Sequence, residues 1–198
     1  GWKGIRVGYN GPGSVSGNVI EGNFIGTDIT GQIARPNLEN GIALESGEGN
    51  VIGGTLPAQR NLISGNQGEG IIAVSVSATN LIQGNLVGTD ASGTNRLGNG
   101  GSGIYLQTRG NIVGGLLPTA RNIVAANSSG ISLLNAGAVS NLIAGNFVGT
   151  DVTGTRALGN TNWGVSVESA ANNQIGLTNF GGGNLISGNL ANGVVISQ

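Results

Sequence analysis

The most constraining feature of this chain is an internal repeat. The segment at 18–28, NVIEGNFIGTD, recurs as NLIQGNLVGTD from Asn80 and as NLIAGNFVGTD from Asn141, so that the copies start 62 and then 61 positions apart. Between these copies lies a second, related unit, with NVIGG from Asn50 and NLISGN from Asn61. Self-similarity at such a period is typical of solenoids, in which each repeat stacks on the next. A residue that recurs in every unit is therefore first a candidate for the scaffold.

The composition excludes several classes of function. The chain has 198 residues, which suits a single domain over 1–198, and it contains neither cysteine nor histidine. Disulfides, zinc–thiolate sites and histidine-dependent catalytic triads are therefore excluded, and no cofactor is expected. A formal net charge of −1 argues against nucleic-acid binding, because no basic excess is present to neutralise phosphates. No apolar run approaches the length of a membrane span.

Each repeat unit predicts three short strands. The first follows a glycine, as in Gly41-Ile-Ala-Leu, and seven such starts occur along the chain. The second and third each follow a recurring asparagine, and a β-branched residue stands two positions after that asparagine, as Ile52 does after Asn50. Period-2 patterning places these β-branched residues in the core. The pattern predicts an all-β protein, a parallel β-helix of six coils with three short strands each and the first strand of a seventh.

Helices are disfavoured, because no segment shows a 3.6-residue apolar period and the 40 glycines would penalise helix formation.

Asparagine suits the corners of such coils, because its side chain can hydrogen-bond the backbone and its neighbours in the stack. The sequence predicts one ladder that contains Asn23, Asn61, Asn85, Asn122, Asn146 and Asn184. Five residues after each of these stands another Asn or Asp, which predicts a second column of alternating type: Asp28, Asn66, Asp90, Asn127, Asp151 and Asn189. Alternation would keep the carboxylates about 10 Å apart, too far for one ion to bridge. A structural role is favoured over calcium binding or catalysis, and no metal site is expected. Arg35, Arg96 and Arg156 recur after the aspartates and are expected to pair with them.

These motifs resemble the right-handed, single-stranded parallel β-helix repeats of the pectate-lyase-like superfamily, most closely the long arrays of secreted and surface bacterial proteins. The resemblance covers essentially the whole chain. It implies the fold but no single activity, because the superfamily includes lyases, hydrolases, epimerases, adhesins and phage tailspikes. Its enzymes use either an arginine or lysine base beside a calcium-binding acidic cluster, or segments that contain histidine or Arg-x-Lys, and none of these signatures can be carried over to this chain. No catalytic residue is predicted, which argues against an enzyme without deciding the matter.

One patch is a candidate binding site. Tyr105, Gln107 and Arg109 follow one another at outward positions, and an aromatic face beside hydrogen-bonding groups suits a saccharide. A second candidate is an apolar stripe of outward residues in the third strands, which would serve self-association if it were exposed. We expect loop leucines to cover the stripe: Leu56, Leu97, Leu117 and Leu158.

Three hypotheses for the function remain. The first is a non-catalytic structural or adhesive module of a secreted or cell-surface bacterial protein, cut from a longer array. The second is a polysaccharide-binding or polysaccharide-active module that acts on a polysaccharide or cell-surface glycan through Tyr105, Gln107 and Arg109. The third is an engineered or excised scaffold that self-associates end to end or side by side.

Overall fold

The chain winds into a parallel β-solenoid in the computed structural model, which describes residues 2–8 and 15–198. Each turn of the chain adds one strand to each of three sheets, and neighbouring turns pair in parallel. Over the described residues, the sheets contain seven, six and six strands. The predicted six coils, and the first strand of a seventh, are therefore confirmed.

The strands are short because glycine and asparagine interrupt the chain at every corner. In chain order they are β1 (Ile5–Val7), β2 (Val19–Ile20), β3 (Phe24–Ile25), β4 (Ile42–Glu48), β5 (Val51–Gly53), β6 (Leu62–Ile63), β7 (Ile71–Ala78), β8 (Leu81–Gln83), β9 (Leu86–Val87), β10 (Ser102–Leu106), β11 (Ile112–Gly114), β12 (Ile123–Val124), β13 (Ser129–Leu134), β14 (Leu142–Ala144), β15 (Phe147–Val148), β16 (Val165–Glu168), β17 (Gln174–Ile175), β18 (Leu185–Ile186) and β19 (Val194–Ser197). Sheet A contains the first strand of each coil, from β1 to β19, sheet B the second, from β2 to β17, and sheet C the third, from β3 to β18. In the described residues, two short 3₁₀ helices, Pro57–Gln59 and Pro118–Ala120, lie in the segments that connect β5 to β6 and β11 to β12.

The core consists of aliphatic side chains stacked in register. In sheet B, for example, Ile52 pairs with Ile82, and Ile82 pairs with Val113. All three are fully buried. The β-branched residues two positions after each asparagine therefore face inward, as the spacing predicts. Their burial is the main stabilising contribution, at about 1.5–3 kcal/mol for each fully buried side chain.

Two asparagine ladders run along the solenoid, one before the strands of sheet B and one before those of sheet C. The side-chain amide of each asparagine except the last donates to the side-chain oxygen one coil further on, as from Asn61 to Asn85 at 3.0 Å. The predicted ladder before sheet C is confirmed. Its rungs are Asn23, Asn61, Asn85, Asn122, Asn146 and Asn184, and those before sheet B are Asn18, Asn50, Asn80, Asn111, Asn141 and Asn173.

The expected column of alternating Asp and Asn is wrong. A third ladder does precede sheet A, but it consists of asparagine alone: Asn37, Asn66, Asn99, Asn127, Asn160 and Asn189. The aspartates Asp28, Asp90 and Asp151 lie outside it, because the chain leaves the coil beside each of them. It forms a loop whose base is closed by an antiparallel bridge, as between Thr89 and Arg96, and the coil resumes at the asparagine after the loop.

These loops, on the first, third and fifth coils, cover the outer face of sheet C. Leu62, Leu86 and Ile123 point outward from that sheet, yet each is only 2% exposed. A Cβ on Gly31 would lie 2.6 Å from Leu62, which shows how closely the loop packs on the neighbouring coil. The loops also bond to one another, since the N–H of Ala91 donates to the carbonyl of Gly31 at 3.0 Å.

The apolar stripe on sheet C is therefore covered over its middle coils, as expected, but largely by other residues than we predicted. Of the four leucines that we expected to cover it, Leu158 is buried, while Leu56 and Leu117 are largely exposed. Each of the loops on the first, third and fifth coils spans two coils, so only every second coil carries one. The full sequence repeat therefore comprises two coils and has 61 or 62 residues.

Candidate functional site

Tyr105, Gln107 and Arg109 lie together at one end of β10. Tyr105 is in the strand, and the Nε2 group of Gln107 donates to its hydroxyl oxygen at 2.8 Å. Arg109 follows two residues later and is largely exposed, with its Nη2 atom 3.9 Å from Oε1 of Glu48. The structure thus places the three predicted residues side by side on one patch. Their role in binding stays a prediction.

The patch borders a groove of about 370 Å³. The groove exists because β4 and β7 continue to Glu48 and Ala78, while β10 ends at Leu106. Beyond Ala73, therefore, β7 pairs with β4 on one side but not with β10 on the other. The groove is lined by Glu48, Ser75, Val76, Ser77, Ala78, Gln107, Thr108, Arg109 and Gly137.

A bulge in β7 shapes one wall of the groove. Leu44 pairs with Ala73 and Ser46 with Val76, so that two residues of β7 oppose one of β4. Ser75 in this bulge has a φ of 61°, a left-handed conformation that costs a non-glycine residue about 1–2 kcal/mol. The bulge leaves Val76 73% exposed. This wall therefore offers an exposed apolar side chain, while Gln107, Thr108 and Arg109 make the opposite side polar.

This combination can hold a small polyhydroxylated ring. The exposed Val76 offers an apolar surface to C–H groups, and the amide of Gln107 and the guanidinium of Arg109 offer hydrogen bonds. The bond from Gln107 also orients the phenol of Tyr105, whose own hydrogen stays available for donation. Arg109 would additionally favour a carboxylate on the ligand.

The sequence reasoning missed the groove residues on β4 and β7. Outward positions counted by strict alternation do not reach them, because the bulge at Ser75 breaks the alternation in β7. Glu45, on the same strand as Glu48, contacts two cations, with Lys3 Nζ at 3.6 Å and the guanidinium of Arg6 in a direct ion pair. The available signal was the run of strand-forming residues from Ile71 to Ala78, which is longer than in any other coil.

The aspartates of the odd-coil loops have a local structural role. One side-chain oxygen of Asp90 accepts the hydroxyl of Ser92 at 2.7 Å and the backbone N–H groups of Thr94 and Asn95, both at 3.1 Å. The other oxygen accepts the side-chain amide of Asn95 at 2.8 Å. The carboxylate thus closes its own loop, and the loops of Asp28 and Asp151 repeat the arrangement.

These hydrogen bonds change the acidity of the carboxyl groups. For Asp28 and Asp90, burial acts to raise the pKa, but the donated hydrogen bonds outweigh it and the pKa lies below the ordinary value of 3.8. For Asp151 the hydroxyl of Thr153 makes the largest contribution, and the pKa is again lowered. All three groups are therefore ionised at neutral pH.

The expected pairing of loop arginines with these aspartates is wrong. Across residues 2–8 and 15–198, no side chain of Arg35, Arg96 or Arg156 forms an ion pair with an aspartate. Arg96 instead donates to the carbonyl of Gly159 on the next odd coil, at 2.8 Å. The aspartates are already satisfied by loop N–H and hydroxyl groups, so a cation adds little. In the same part of the chain, no three acidic side chains gather into a group that could hold a metal ion.

In comparisons with known proteins, no family model, no curated protein and no solved structure matches this chain. Within the described residues, no helix is both long enough and apolar enough to cross a membrane.

Proposed function

We propose that the chain is a non-catalytic structural or adhesive module of a secreted or cell-surface bacterial protein. We also propose that its coils are right-handed and related to the pectate-lyase-like superfamily, which the repeat motifs resemble. In this role the solenoid presents its loops and its long faces at fixed spacing. The stacked coils and the loops that connect alternate coils favour such a rigid element.

The observation that carries the proposal is the use of the recurrent polar side chains. The asparagines donate and accept along three ladders, as Asn85 does with Asn122, and they also bond backbone carbonyls. The loop aspartates bond the hydroxyl and N–H groups of their own loops, as in Asp151 with Thr153. Side chains held in this way are not free to bind a substrate or to transfer a proton.

The test is incubation of the purified chain with neutral and uronic-acid polysaccharides. The products are then analysed for new reducing ends and for unsaturated uronates. We expect neither to form, even after long incubation at high protein concentration. Cleavage that persists in an independently purified second preparation would overturn the proposal.

A second candidate function is polysaccharide binding at the groove beside β10. The observation that favours it is the contact of Gln107 with Tyr105, with Arg109 and Glu48 at the same groove. On a glycan array, the wild-type chain should bind one class of glycan, and Tyr105→Ala or Arg109→Ala should weaken the signal. Arg35→Ala changes an exposed arginine of a loop on the first coil and is the matched control. Equal signals for Tyr105→Ala and the wild type would exclude this site.

A further inference from the structure

In the part of the chain that the structure describes, the outer face of sheet B carries a row of apolar side chains that stay at least partly exposed. Each residue of the row pairs in register with the next one on the neighbouring strand, and the row ends at the polar Gln174. Val19 is 59% exposed and Ile112 is 40% exposed, whereas Ile123, the sheet C residue on the same coil as Ile112, is only 2% exposed. The row consists of Val19, Val51, Leu81, Ile112 and Leu142.

A second apolar row borders the first. The loops of the even coils leave directly from β5, β11 and β17, and each carries a large exposed apolar residue near its tip. Leu56 and Leu117 occupy equivalent positions in two of these loops, and Phe180 is fully exposed in the third. Because these loops occur on every second coil, the tips recur at about 9.6 Å along the axis, twice the interstrand spacing.

The two rows together have almost no charge. The described strands of sheet B contain no charged residue. The even-coil loops contain Arg60 and Arg121, but the Nε groups of both donate to backbone carbonyls of the next coil. Glu21 lies at one end of the row, and Glu48 and Arg109 lie at the corner towards sheet A. We call the two rows the sheet B surface; its centre is apolar and its rim is polar.

The surface is large for a monomer. If a fully exposed large apolar residue presents about 200 Å², in line with the 150–250 Å² of aromatic side chains, the exposed members present on the order of 700 Å². These members are Val19 and Ile112 of the strands, the loop tips Leu56, Leu117 and Phe180, and Leu116, which precedes Leu117 in its loop and is 44% exposed. The largest apolar patch of a typical monomer is about 300–600 Å². A standard protein interface buries about 800 Å² on each partner, so a surface of this order is large enough for one.

We propose that the sheet B surface binds the same surface of a second copy of this chain, with the two rods side by side and antiparallel. A two-fold contact places one surface against itself. The loop tips of one copy can then enter the spaces between the tips of the other, because both have the same two-coil period. Arg60 and Arg121 are the basic residues of the loops on the sheet B surface, and their Nε groups bond backbone carbonyls, so the surface lacks the polybasic character that membrane surfaces attract. The lack of charge also disfavours a strongly charged partner.

The test uses sedimentation velocity and light scattering from about 1 to 500 μM. We expect the wild-type chain to form a dimer within this range. Ile112→Lys combined with Leu117→Lys places charges at the centre of the surface, and the dissociation constant should rise about a hundred-fold or more because the buried charges lack partners. Ile29→Lys changes an apolar residue that is 91% exposed on an odd-coil loop, outside the surface, and should leave the dimer intact.

A second variant tests the geometry independently of the lysine substitutions. The chain contains no cysteine, so Ile112→Cys introduces a single thiol into the middle of the surface. Under mild oxidation it should form an intermolecular disulfide at least tenfold faster than Ile29→Cys. A wild-type chain that stays monomeric at 500 μM would overturn the proposal, and so would a dimer that the double lysine variant does not weaken. Binding of the monomer to lipid vesicles without dimerisation would overturn it as well.

Discussion

The side-chain oxygen of Asn122 accepts two hydrogen bonds from Asn85, one from the side-chain amide and one from the backbone N–H, both at 3.0 Å. Asn122 in turn donates to the oxygen of Asn146 at 3.0 Å and to the carbonyl of Ile82 at 2.8 Å. A single buried amide therefore connects three successive coils. Because every rung donates in the same direction, the loss of one rung leaves unpaired groups on both sides.

Replacement of Asn122 by alanine should be strongly destabilising. The backbone and side-chain N–H groups of Asn85 lose their shared acceptor, and the carbonyl of Ile82 loses a donor. The side-chain oxygen of Asn146 also loses a donor but keeps the backbone N–H of residue 122. A buried polar group without a partner costs about 1–3 kcal/mol, so we expect a loss of about 3–5 kcal/mol in the free energy of unfolding. Urea denaturation followed by circular dichroism measures this loss.

Asn179→Ala is the matched control for that measurement, because Asn179 is exposed in an even-coil loop. We expect its effect to stay within about 0.5 kcal/mol, as for most surface substitutions. Equal losses for the two variants would show that the ladder contributes nothing beyond local loop structure.

A carboxylate placed in a ladder should destabilise the chain at neutral pH. The amide of Asn99 donates to the oxygen of Asn127 at 2.9 Å and to the carbonyl of Ile63 at 3.0 Å. In Asn99→Asp, an ionised oxygen would face these two acceptors, and burial would raise the pKa of the new group. A raised folded-state pKa means that stability is lost as the pH rises through it. Denaturation at pH 4 and pH 7 should therefore show a larger defect at pH 7; an equal defect at both values contradicts the prediction.

The sequence alone predicts the strands and the core, because each strand begins at a fixed distance from an asparagine or a glycine. It did not predict the third ladder, because linear counting cannot distinguish a coil corner from the start of a loop. Asp28 follows Asn23 by the same five residues that separate Asn66 from Asn61. The loop that begins beside Asp28 returns the chain to the coil at Asn37, and only the three-dimensional path shows this.

The groove beside β10 is likewise a consequence of packing rather than of any motif. Tyr105, Gln107 and Arg109 could be placed on one patch by alternation alone. Val76 could not, since a one-residue bulge at Ser75 shifts the register of all the residues that follow it in β7. Such a bulge leaves no clear mark in a sequence that is rich in serine and valine.

The loop aspartates should make the chain sensitive to acid. Hydrogen bonds from the hydroxyl of Thr153 and from the backbone N–H groups of Arg156, Thr155 and Thr153 lower the pKa of Asp151 below its ordinary value of 3.8. A lowered folded-state pKa stabilises the fold above about pH 4, and this contribution is lost as the pH falls through the folded-state value. Asp151→Asn should therefore be less stable than the wild type at pH 7, and the difference should shrink between pH 5 and pH 2.

Thermal unfolding of both proteins over this pH range measures that difference. Glu21→Gln is the control, because it changes an exposed carboxyl that lies outside the odd-coil loops. Asn173→Asp would not serve, because it alters a ladder. A stability difference between wild type and Asp151→Asn that does not vary with pH would contradict the assignment of Asp151 as the ionised centre of its loop.

Substitutions at two glycines distinguish the cost of backbone strain from the cost of a close contact between coils. Gly49 has a φ of +67° and open space around its Cα, so Gly49→Ala should cost only the strain of a left-handed alanine, about 1–2 kcal/mol. Gly88 has a φ of +91°, and a Cβ there would lie 2.0 Å from the carbonyl oxygen of Ala125 on the next coil. Gly88→Ala must therefore push two coils apart at the corner where the third-coil loop begins. We expect a loss at least twice that of Gly49→Ala in urea denaturation, together with faster hydrogen exchange in β9 and β12. Comparable losses for the two variants would mean that the conformation of the backbone, and not the contact between coils, requires glycine at this corner.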